Sequence, residues 1–436
     1  MNNSQSKNPD TRRAFLKKTG VSLFGSALIG PETFYTGSFP QKNKNEILKV
    51  GLIGCGGRGT SAARQALIAD PDVHITALGD IFEDKLNQSL ATLLKTGKDR
   101  VKIDKSNSFV GFDAYQKVID SGVDVVLLAG PPYTRPTHLA AAVKAGKHAF
   151  AEKPMAVDAP GVRSILNSAK LAKEKNLSLV SGFCFRYDKA NRESFGRILD
   201  GAVGEIQSVT TYRYGGELWS FPRQKDWTDM EYQLRNWYYY HWLSGDFITE
   251  VAVHSLDMMA WALGDRLPIK AIGIGGRQKR TDPLFGNIYD HFAIEYEYAD
   301  GVKGYSFSRQ HLGCPGRNTV EVFGSQGKAD LAMYKHYKIT GKNPWEFQGK
   351  GNVMHQAEQD EFFASIRSGK PINDGEWMAH STMLGILGRM VGYSGQEITW
   401  ENAINSEVSI GPKYEDYRWD LKYPVSEVPI PGITKV

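Results

Sequence analysis

Val50-Gly51-Leu52-Ile53-Gly54-Cys55-Gly56-Gly57-Arg58-Gly59 is the stretch from which the fold is read. An apolar run, Ile47–Ile53, leads into a GxGxxG turn, and Ala62, Ala63, Ala66 and Leu67 follow at helical spacing. Between a strand and a helix each glycine has a mechanical task. Gly54 makes the tight turn, Gly56 lets a pyrophosphate approach the backbone, and Gly59 lets helix and strand pack closely. The helix start at Gly57 and Arg58 turns its N–H groups towards that phosphate. Alone, such a motif is a common glycine-rich turn. Its context strengthens it: a second strand, His74–Leu78, ends at Gly79-Asp80, and Asp80 lies 21 residues beyond Gly59. A carboxylate there binds the hydroxyls of an adenosine ribose. It also repels a 2′-phosphate, and Ile81 and Phe82 bring no positive charge, so NAD is expected over NADP.

Outward from this loop the alternation continues. Val123–Ala129 is an apolar run interrupted only by Asp124, as in a strand covered on both faces. A helix at Thr137–Ala145, a strand at Ala149–Ala151, a helix at Ala159–Lys173 and a strand at Leu177–Phe183 follow. This predicts an α/β fold with an N-terminal Rossmann domain, a doubly wound parallel sheet. Beyond Gly204 the period changes to two. Phe292, Ile294, Tyr296 and Tyr298 alternate with Ala293, Glu295 and Glu297 and reach a hairpin signal at Asp300-Gly301. Val320–Phe323 is a further strand, ended by Gly324, and Glu358–Arg367 and His380–Tyr393 read as helices. A second, C-terminal α/β domain with a large, mostly antiparallel open sheet is therefore expected. The expected boundaries are 1–45 (signal and linker), 46–186 (Rossmann domain), 187–405 (substrate and oligomerisation domain) and 406–436 (tail).

The 436 residues are 41 % hydrophobic and 23 % charged, which excludes a disordered, collagenous or coiled-coil chain. The net charge is +5, but residues 1–30 hold +4 of it, and no basic run follows. A nucleic-acid partner, which calls for clustered Lys and Arg, is not expected. Three scattered cysteines, Cys55, Cys184 and Cys314, suit neither a disulfide framework nor a zinc site. No metal is expected, since His241 and Asp246 show no ligand spacing. Thr11-Arg12-Arg13-Ala14-Phe15-Leu16-Lys17 fits the twin-arginine export pattern, followed by a short apolar run, Val21–Ile29, too short to span a bilayer. No small-x-small site is evident, so cleavage and retention as a membrane anchor are both open. The expected location is periplasmic, with the twin-arginine export machinery as a partner. An enzyme exported folded cannot draw on a cytosolic cofactor pool, so its nucleotide is expected to be tightly bound.

The residues suited to chemistry follow the strands. Gly130-Pro131-Pro132 and His138 come after the long buried strand, and Ala151-Glu152-Lys153-Pro154 ends the next. Ligands of such sheets sit outside the carboxyl ends of the strands. Pro131, His138, Glu152 and Lys153 are therefore cofactor-side candidates, with Lys153 towards the nicotinamide end. Taken alone, Lys153 reads more readily as a surface lysine at a strand–turn junction. Further on stands Gly245-Asp246-Phe247-Ile248-Thr249-Glu250-Val251-Ala252-Val253-His254-Ser255-Leu256-Asp257. On a single helix Glu250 and His254, four apart, share a face, and Asp257 adds the next turn. A carboxylate beside a histidine raises its basicity, which suits a base for a hydroxyl proton. A purely structural His–carboxylate pair has the same spacing.

Together these motifs resemble the Gfo/Idh/MocA oxidoreductase family, named for glucose–fructose oxidoreductase and inositol dehydrogenase. The resemblance runs from about residue 46 to 405. It rests on the Gly54–Gly59 loop, Asp80, Glu152-Lys153-Pro154, Gly182-Phe183-Cys184-Phe185-Arg186, Gly245–Asp257 and Val322-Phe323-Gly324-Ser325-Gln326-Gly327. It implies oxidation or reduction of a carbinol carbon of a sugar, glycoside or cyclitol, with homo-dimers or tetramers formed through the open sheet. Lys153 would hold substrate and nicotinamide, His254 would be the base, and Glu250 would tune it. The common pattern has an aspartate four residues before the histidine and another three after. His254 and Asp257 match, whereas Glu250 and Ala252 depart from the usual aspartate and glycine. Arg186, Tyr187, Trp237, Asp246 and Asp257 are expected near the sugar, with a structural ion pair the alternative for Arg186; Asn318 and His355 are weaker candidates. Three functions remain in play. The first is a dehydrogenase. The second is a redox-assisted glycosidase (oxidation, elimination, hydration, reduction) on the same fold. The third is a sugar sensor, disfavoured because a sensor has no need of Lys153 and His254.

Overall fold

The computed structural model describes residues 46–436; the export signal and linker expected at 1–45 lie outside the described residues. Six strands form a parallel sheet: β1 (Leu48–Ile53), β2 (Val73–Asp80), β3 (Ser108–Val110), β4 (Val125–Leu128), β5 (His148–Ala151) and β6 (Leu179–Ser181). Their order is β3-β2-β1-β4-β5-β6, with every neighbouring pair parallel. This is the expected doubly wound sheet. All four residues of β4 are buried, because helices cover both faces. The strand order reverses between β1 and β4, which opens a crevice at their carboxyl ends. There the backbone passes very close. Gly54 has φ +94°, and a Cβ on it would lie 2.5 Å from the Gly130 nitrogen.

The second sheet contains β7 (Ile206–Gly215), β8 (Lys270–Gly276), β9 (His291–Glu297), β10 (Lys303–Gln310), β11 (Arg317–Gly324), β12 (Gly327–Ala332), β13 (His336–Gly341), β14 (Trp345–Glu346) and β15 (Ile398–Thr399). Its order is β14-β13-β12-β11-β7-β10-β9-β8-β15, antiparallel throughout except for the parallel pair β7 and β10. The period-two pattern is realised directly. Phe292, Ile294 and Tyr296 are buried against the helix Gly375–Ser394, while Ala293 and Glu295 face away. The far face is open, with Ile272 and Ile274 exposed at 47 % and 69 %.

Two segments return to the first sheet. The helix Met354–Ser368 packs on the helix Gly57–Ala69 and places Phe362, Phe363 and Ile366 in one apolar cluster with Leu52, Ala62 and Val125. The first core therefore draws on residues far beyond position 186. The tail does likewise: Tyr417 joins Phe82, Leu234, Tyr240 and Trp242, and Trp419 packs 4.7 Å from Phe112 and 5.5 Å from Phe82.

Candidate active site

The crevice at the carboxyl ends of β1, β2 and β4 is lined by Gly54, Asp80, Ile81, Phe112, Pro131 and His138, and closed from the tail by Tyr414 and Tyr417. Gly56 and Gly57 have no protein atom within 4 Å of where a Cβ would stand. The loop thus offers bare backbone to the crevice, while Gly59 is locked in, its would-be Cβ 1.9 Å from the Gly54 oxygen. A dinucleotide pyrophosphate fits this cradle at the helix start. Asp80 ends β2 and braces the loop: Oδ2 accepts from the Cys55 N–H at 2.6 Å and Oδ1 from the Phe82 N–H at 2.8 Å. Burial pushes its pKa up while these two donors pull it down. A carboxylate has about four lone-pair sites, so capacity is left for ribose hydroxyls.

His138 forms part of the cleft wall, stacked 4.3 Å from Tyr115 with Nε2 3.0 Å from the Tyr414 hydroxyl. That hydroxyl donates to the Phe112 carbonyl at 2.9 Å, so it accepts from His138. Burial, with Arg135 nearby, pushes the His138 pKa down to about 3. Arg58 sits at the helix start, with Nε 2.8 Å from Glu152 Oε1, tying the glycine loop to the segment that ends β5. Glu152 also fills the space beside Gly182, where a Cβ would lie 2.6 Å from Oε2.

Lys153 follows Glu152 and points across to the second domain. Its Nζ donates to Glu250 Oε1 at 2.8 Å and to the Glu250 carbonyl at 2.6 Å. His254 lies beside this pair with its ring edge-on to Phe183 and Phe185. Burial, then the charges of Lys153, Arg213 and His355, hold its pKa well below the ordinary value. Its Nδ1 is buried and has no hydrogen-bond partner among the described residues. The imidazole is therefore neutral at physiological pH and able to accept a proton.

Several expectations need correction. Glu250 pairs with Lys153, not with His254. The two residues lie on separate helices, Asp246–Glu250 and Val253–Ala262, so the i,i+4 relation does not hold. Arg186 is held by structure. Its Nη2 is 2.8 Å from Asp257 and 2.5 Å from Asp265, and its plane lies 4.1 Å from Trp377 and 5.3 Å from Trp261. Asp257 is fully buried and also accepts from the Ser381 hydroxyl at 2.8 Å. Tyr187 donates to Asp374 at 2.8 Å within the core. Asp246, buried at φ +68°, accepts from Tyr289 N–H at 2.7 Å and from the Tyr393 hydroxyl at 2.6 Å. Each of these four side chains is engaged by ion pairs or hydrogen bonds within the protein. Trp237 packs against Trp219 and Tyr238, and it is Tyr238 that reaches inward, donating to Gln310 at 2.6 Å. His355 and Asn318 do reach the region. His355 is among the groups that depress His254, and Asn318 is the register partner of Arg213.

Arg213 itself was missed. It lies on β7, its guanidinium faces Glu250, Tyr238 and Tyr334, and its Nε is buried with no hydrogen-bond partner among the described residues. Period-two alternation assigns it to one face or the other, and only the sheet's packing decides which. The tail residues Tyr414, Tyr417 and Trp419 were missed too; their signal was the aromatic density of residues 414–423. Asp290, His291 and His311 could also hold a metal ion. In the structure Asp290 Oδ1 lies 2.8 Å and 3.0 Å from the two rings, where β9 and β10 adjoin.

Residues 48–183 match the model of an oxidoreductase family with an NAD-binding Rossmann fold, and residues 196–330 match the GFO/IDH/MocA C-terminal domain. A myo-inositol 2-dehydrogenase of Thermotoga maritima is 22 % identical over 337 residues, covering 74 % of this chain and 90 % of the relative. A 2,7-anhydro-N-acetylneuraminate hydratase of Escherichia coli is 28 % identical over 179 residues, 41 % of this chain; the match spans only 44 % of that relative. The solved aldose-aldose oxidoreductase of Caulobacter crescentus superposes with a TM-score of 0.64 at 19 % identity, covering 81 % of this chain and 100 % of that one. A levoglucosan dehydrogenase in complex with NADH and levoglucosan gives 0.63 at 15 % identity, covering 81 % of this chain and 99 % of that one. At such identities the superpositions speak for the fold.

Proposed function

The chain belongs to the Gfo/Idh/MocA family of NAD(P)-dependent oxidoreductases acting on CH–OH groups, and from that premise we propose an exported NAD-dependent enzyme that oxidises or reduces a carbinol carbon of a sugar, glycoside or cyclitol. The observation that carries this reading is the Lys153–Glu250 pair, with a neutral, buried His254 within reach of the lysine's charge, outside the carboxyl ends of the first sheet. Bound at the Gly54–Gly59 loop and Asp80, the nicotinamide nucleotide supplies the hydride acceptor. His254 takes the proton of the reacting hydroxyl. Lys153 donates a hydrogen bond to that oxygen as it becomes a carbonyl and stabilises its developing charge. Glu250 positions the lysine. In the reverse direction His254 returns the proton.

Asp80 supports NAD as the nucleotide, since a 2′-phosphate would meet its carboxylate. The Tyr414–His138 contact and the aromatic tail across the crevice support a tightly held cofactor. That retention suits export through the twin-arginine signal read at Arg12–Lys17. The open face of the second sheet, with exposed Ile272 and Ile274, is the surface for a homo-oligomer.

The test uses the purified chain with its co-purified nucleotide identified after denaturation. Free sugars and aryl glycosides are added while reduced-nicotinamide absorbance and released aglycone are followed together. Lasting reduction without aglycone release supports the dehydrogenase. Aglycone release without net reduction gives the redox-assisted glycosidase instead. Neither signal with any sugar or cyclitol, from a chain holding its nucleotide, overturns the reading.

A further inference from the structure

β10, β7 and β11 run side by side in the second sheet, and Arg213 is the direct register partner of Ser308 on one side and of Asn318 on the other. Directly opposed residues on adjacent strands share a face. Gln310, two residues beyond Ser308, is on that face and accepts from the Tyr238 hydroxyl, and the Arg213 charge acts on His254 and faces Glu250, so the row looks towards the reacting end of the crevice. Each member carries a buried polar atom with no hydrogen-bond partner among the described residues: Arg213 Nε, Ser308 Oγ and Asn318 Oδ1. Buried polar groups are nearly always satisfied in folded proteins. Three orphans in one row beside the catalytic lysine and histidine indicate a ligand that supplies their partners.

The charges indicate what kind of ligand. Glu250 is the carboxylate that faces both Lys153 and Arg213, and its Oε1 is already 2.8 Å from Lys153. Arg58 is answered by Glu152. His254 is neutral, and burial keeps the Tyr238 and Tyr334 phenols protonated. Among the described residues Arg213 is left as a cation without an anion of its own. Sugar hydroxyls could satisfy serine and asparagine, but they leave a guanidinium charge uncompensated in a desolvated site. A carboxylate matches the forked donors of arginine in both shape and charge. The phosphates of the dinucleotide belong to the glycine loop of the other domain, so they do not fill this role.

We propose that Ser308, Arg213 and Asn318 form an acid-recognition subsite, and that the substrate is a carboxylate-bearing sugar, a uronic acid or its glycoside. Arg213 grips the carboxylate, and Ser308 and Asn318 take neighbouring oxygens. The identity of the reacting partner rests on the oxidoreductase reading; the anion site stands on the row itself.

The experiment uses the full chain with its nucleotide bound. D-glucuronate, D-galacturonate and their methyl glycosides are compared with D-glucose, D-galactose and theirs. Binding is measured by calorimetry and turnover by nicotinamide absorbance. At least one acid should bind at least about tenfold more tightly than its neutral counterpart, with affinity falling as salt rises. Arg213→Gln should remove that preference, with a melting curve to establish that it is folded. Arg213→Lys, which keeps the charge but not the fork, should retain part of it and serves if the glutamine variant does not fold. If acids bind in this way and none is oxidised, the subsite stands and the redox reading falls. If the neutral sugars bind as well as every acid, or Arg213→Gln weakens both alike, the subsite is overturned.

Discussion

Lys153 of the first domain and Glu250 of the second form one ion pair, Nζ to Oε1 2.8 Å, reinforced by a 2.6 Å hydrogen bond from Nζ to the Glu250 carbonyl. Both side chains are largely buried. The lysine is therefore aimed by a residue 97 positions away in the chain, and the site exists only when the two domains are packed.

Lys153→Met should lower kcat by about 100- to 1000-fold, because the donor to the developing carbonyl is gone. Glu250→Gln should cost about 10- to 100-fold by leaving the ammonium unanchored. In both variants the nucleotide released on denaturation should match the wild type. Full turnover in Lys153→Met would remove the lysine from the mechanism.

His254 also makes a pH prediction. Burial and the surrounding cations lower its pKa, so the neutral form persists as the solution is acidified. The acid limb of kcat/KM for oxidation should lie below the ordinary histidine value of about 6.5. A limb at or above that value, assigned to His254 by its loss in His254→Asn, contradicts the neutral-base role.

Asp80→Ala should weaken NAD by about tenfold or more and narrow the preference over NADP, since the carboxylate both braces the loop and repels a 2′-phosphate. Titration of the apo chain with each nucleotide measures this. An unchanged preference would refute the assignment of Asp80.

The tail should control nucleotide exchange. Tyr414→Phe removes the hydroxyl shared by His138 and the Phe112 carbonyl, and Trp419→Ala opens the contact with Phe82 and Phe112. Each should speed release of bound nucleotide by about tenfold, in line with about 1.4 kcal/mol of lost contact. Release into a scavenging dehydrogenase assay reads the rate directly, and equal rates in both variants and wild type would show that the tail plays no part.

Arg186→Ala separates structure from recognition. It leaves Asp257 buried without its cation, a change that typically costs about 3–5 kcal/mol. The melting temperature should drop sharply, while KM of any surviving enzyme stays near wild type. A large rise in KM without loss of stability would return Arg186 to the substrate site.

Much of the first domain was legible because its signals are local. The positive φ at Gly54 is a demand of that residue's own backbone and the close pass of Gly59 on Gly54 is a steric demand between near neighbours in the chain, and the apolar run Val123–Ala129 read as a strand covered on both faces. β3 was not anticipated; at three residues it has too little pattern to read. The helix joining Glu250 to His254 failed for a similar reason. Four-residue spacing implies a shared face only if the helix is unbroken, and nothing local marked the break at Val251 and Ala252.

The sequence by itself determined that there is a nucleotide loop, a parallel sheet and a second sheet of period two; Lys153 and His254 became candidates for chemistry through the family resemblance. The loop and the two sheets follow from backbone sterics and hydrophobic periodicity, which act over a few residues. Only the tertiary structure decided which charges meet. It gave Arg186 to Asp257 and Asp265, gave Glu250 to Lys153, and turned Arg213 inwards with its Nε lacking a partner among the described residues. Ion pairing and burial depend on which distant elements pack together, and no spacing along a chain encodes that. The same holds for the last thirty residues, whose aromatic side chains read as an unremarkable tail until Tyr414 and Tyr417 are seen closing over the crevice.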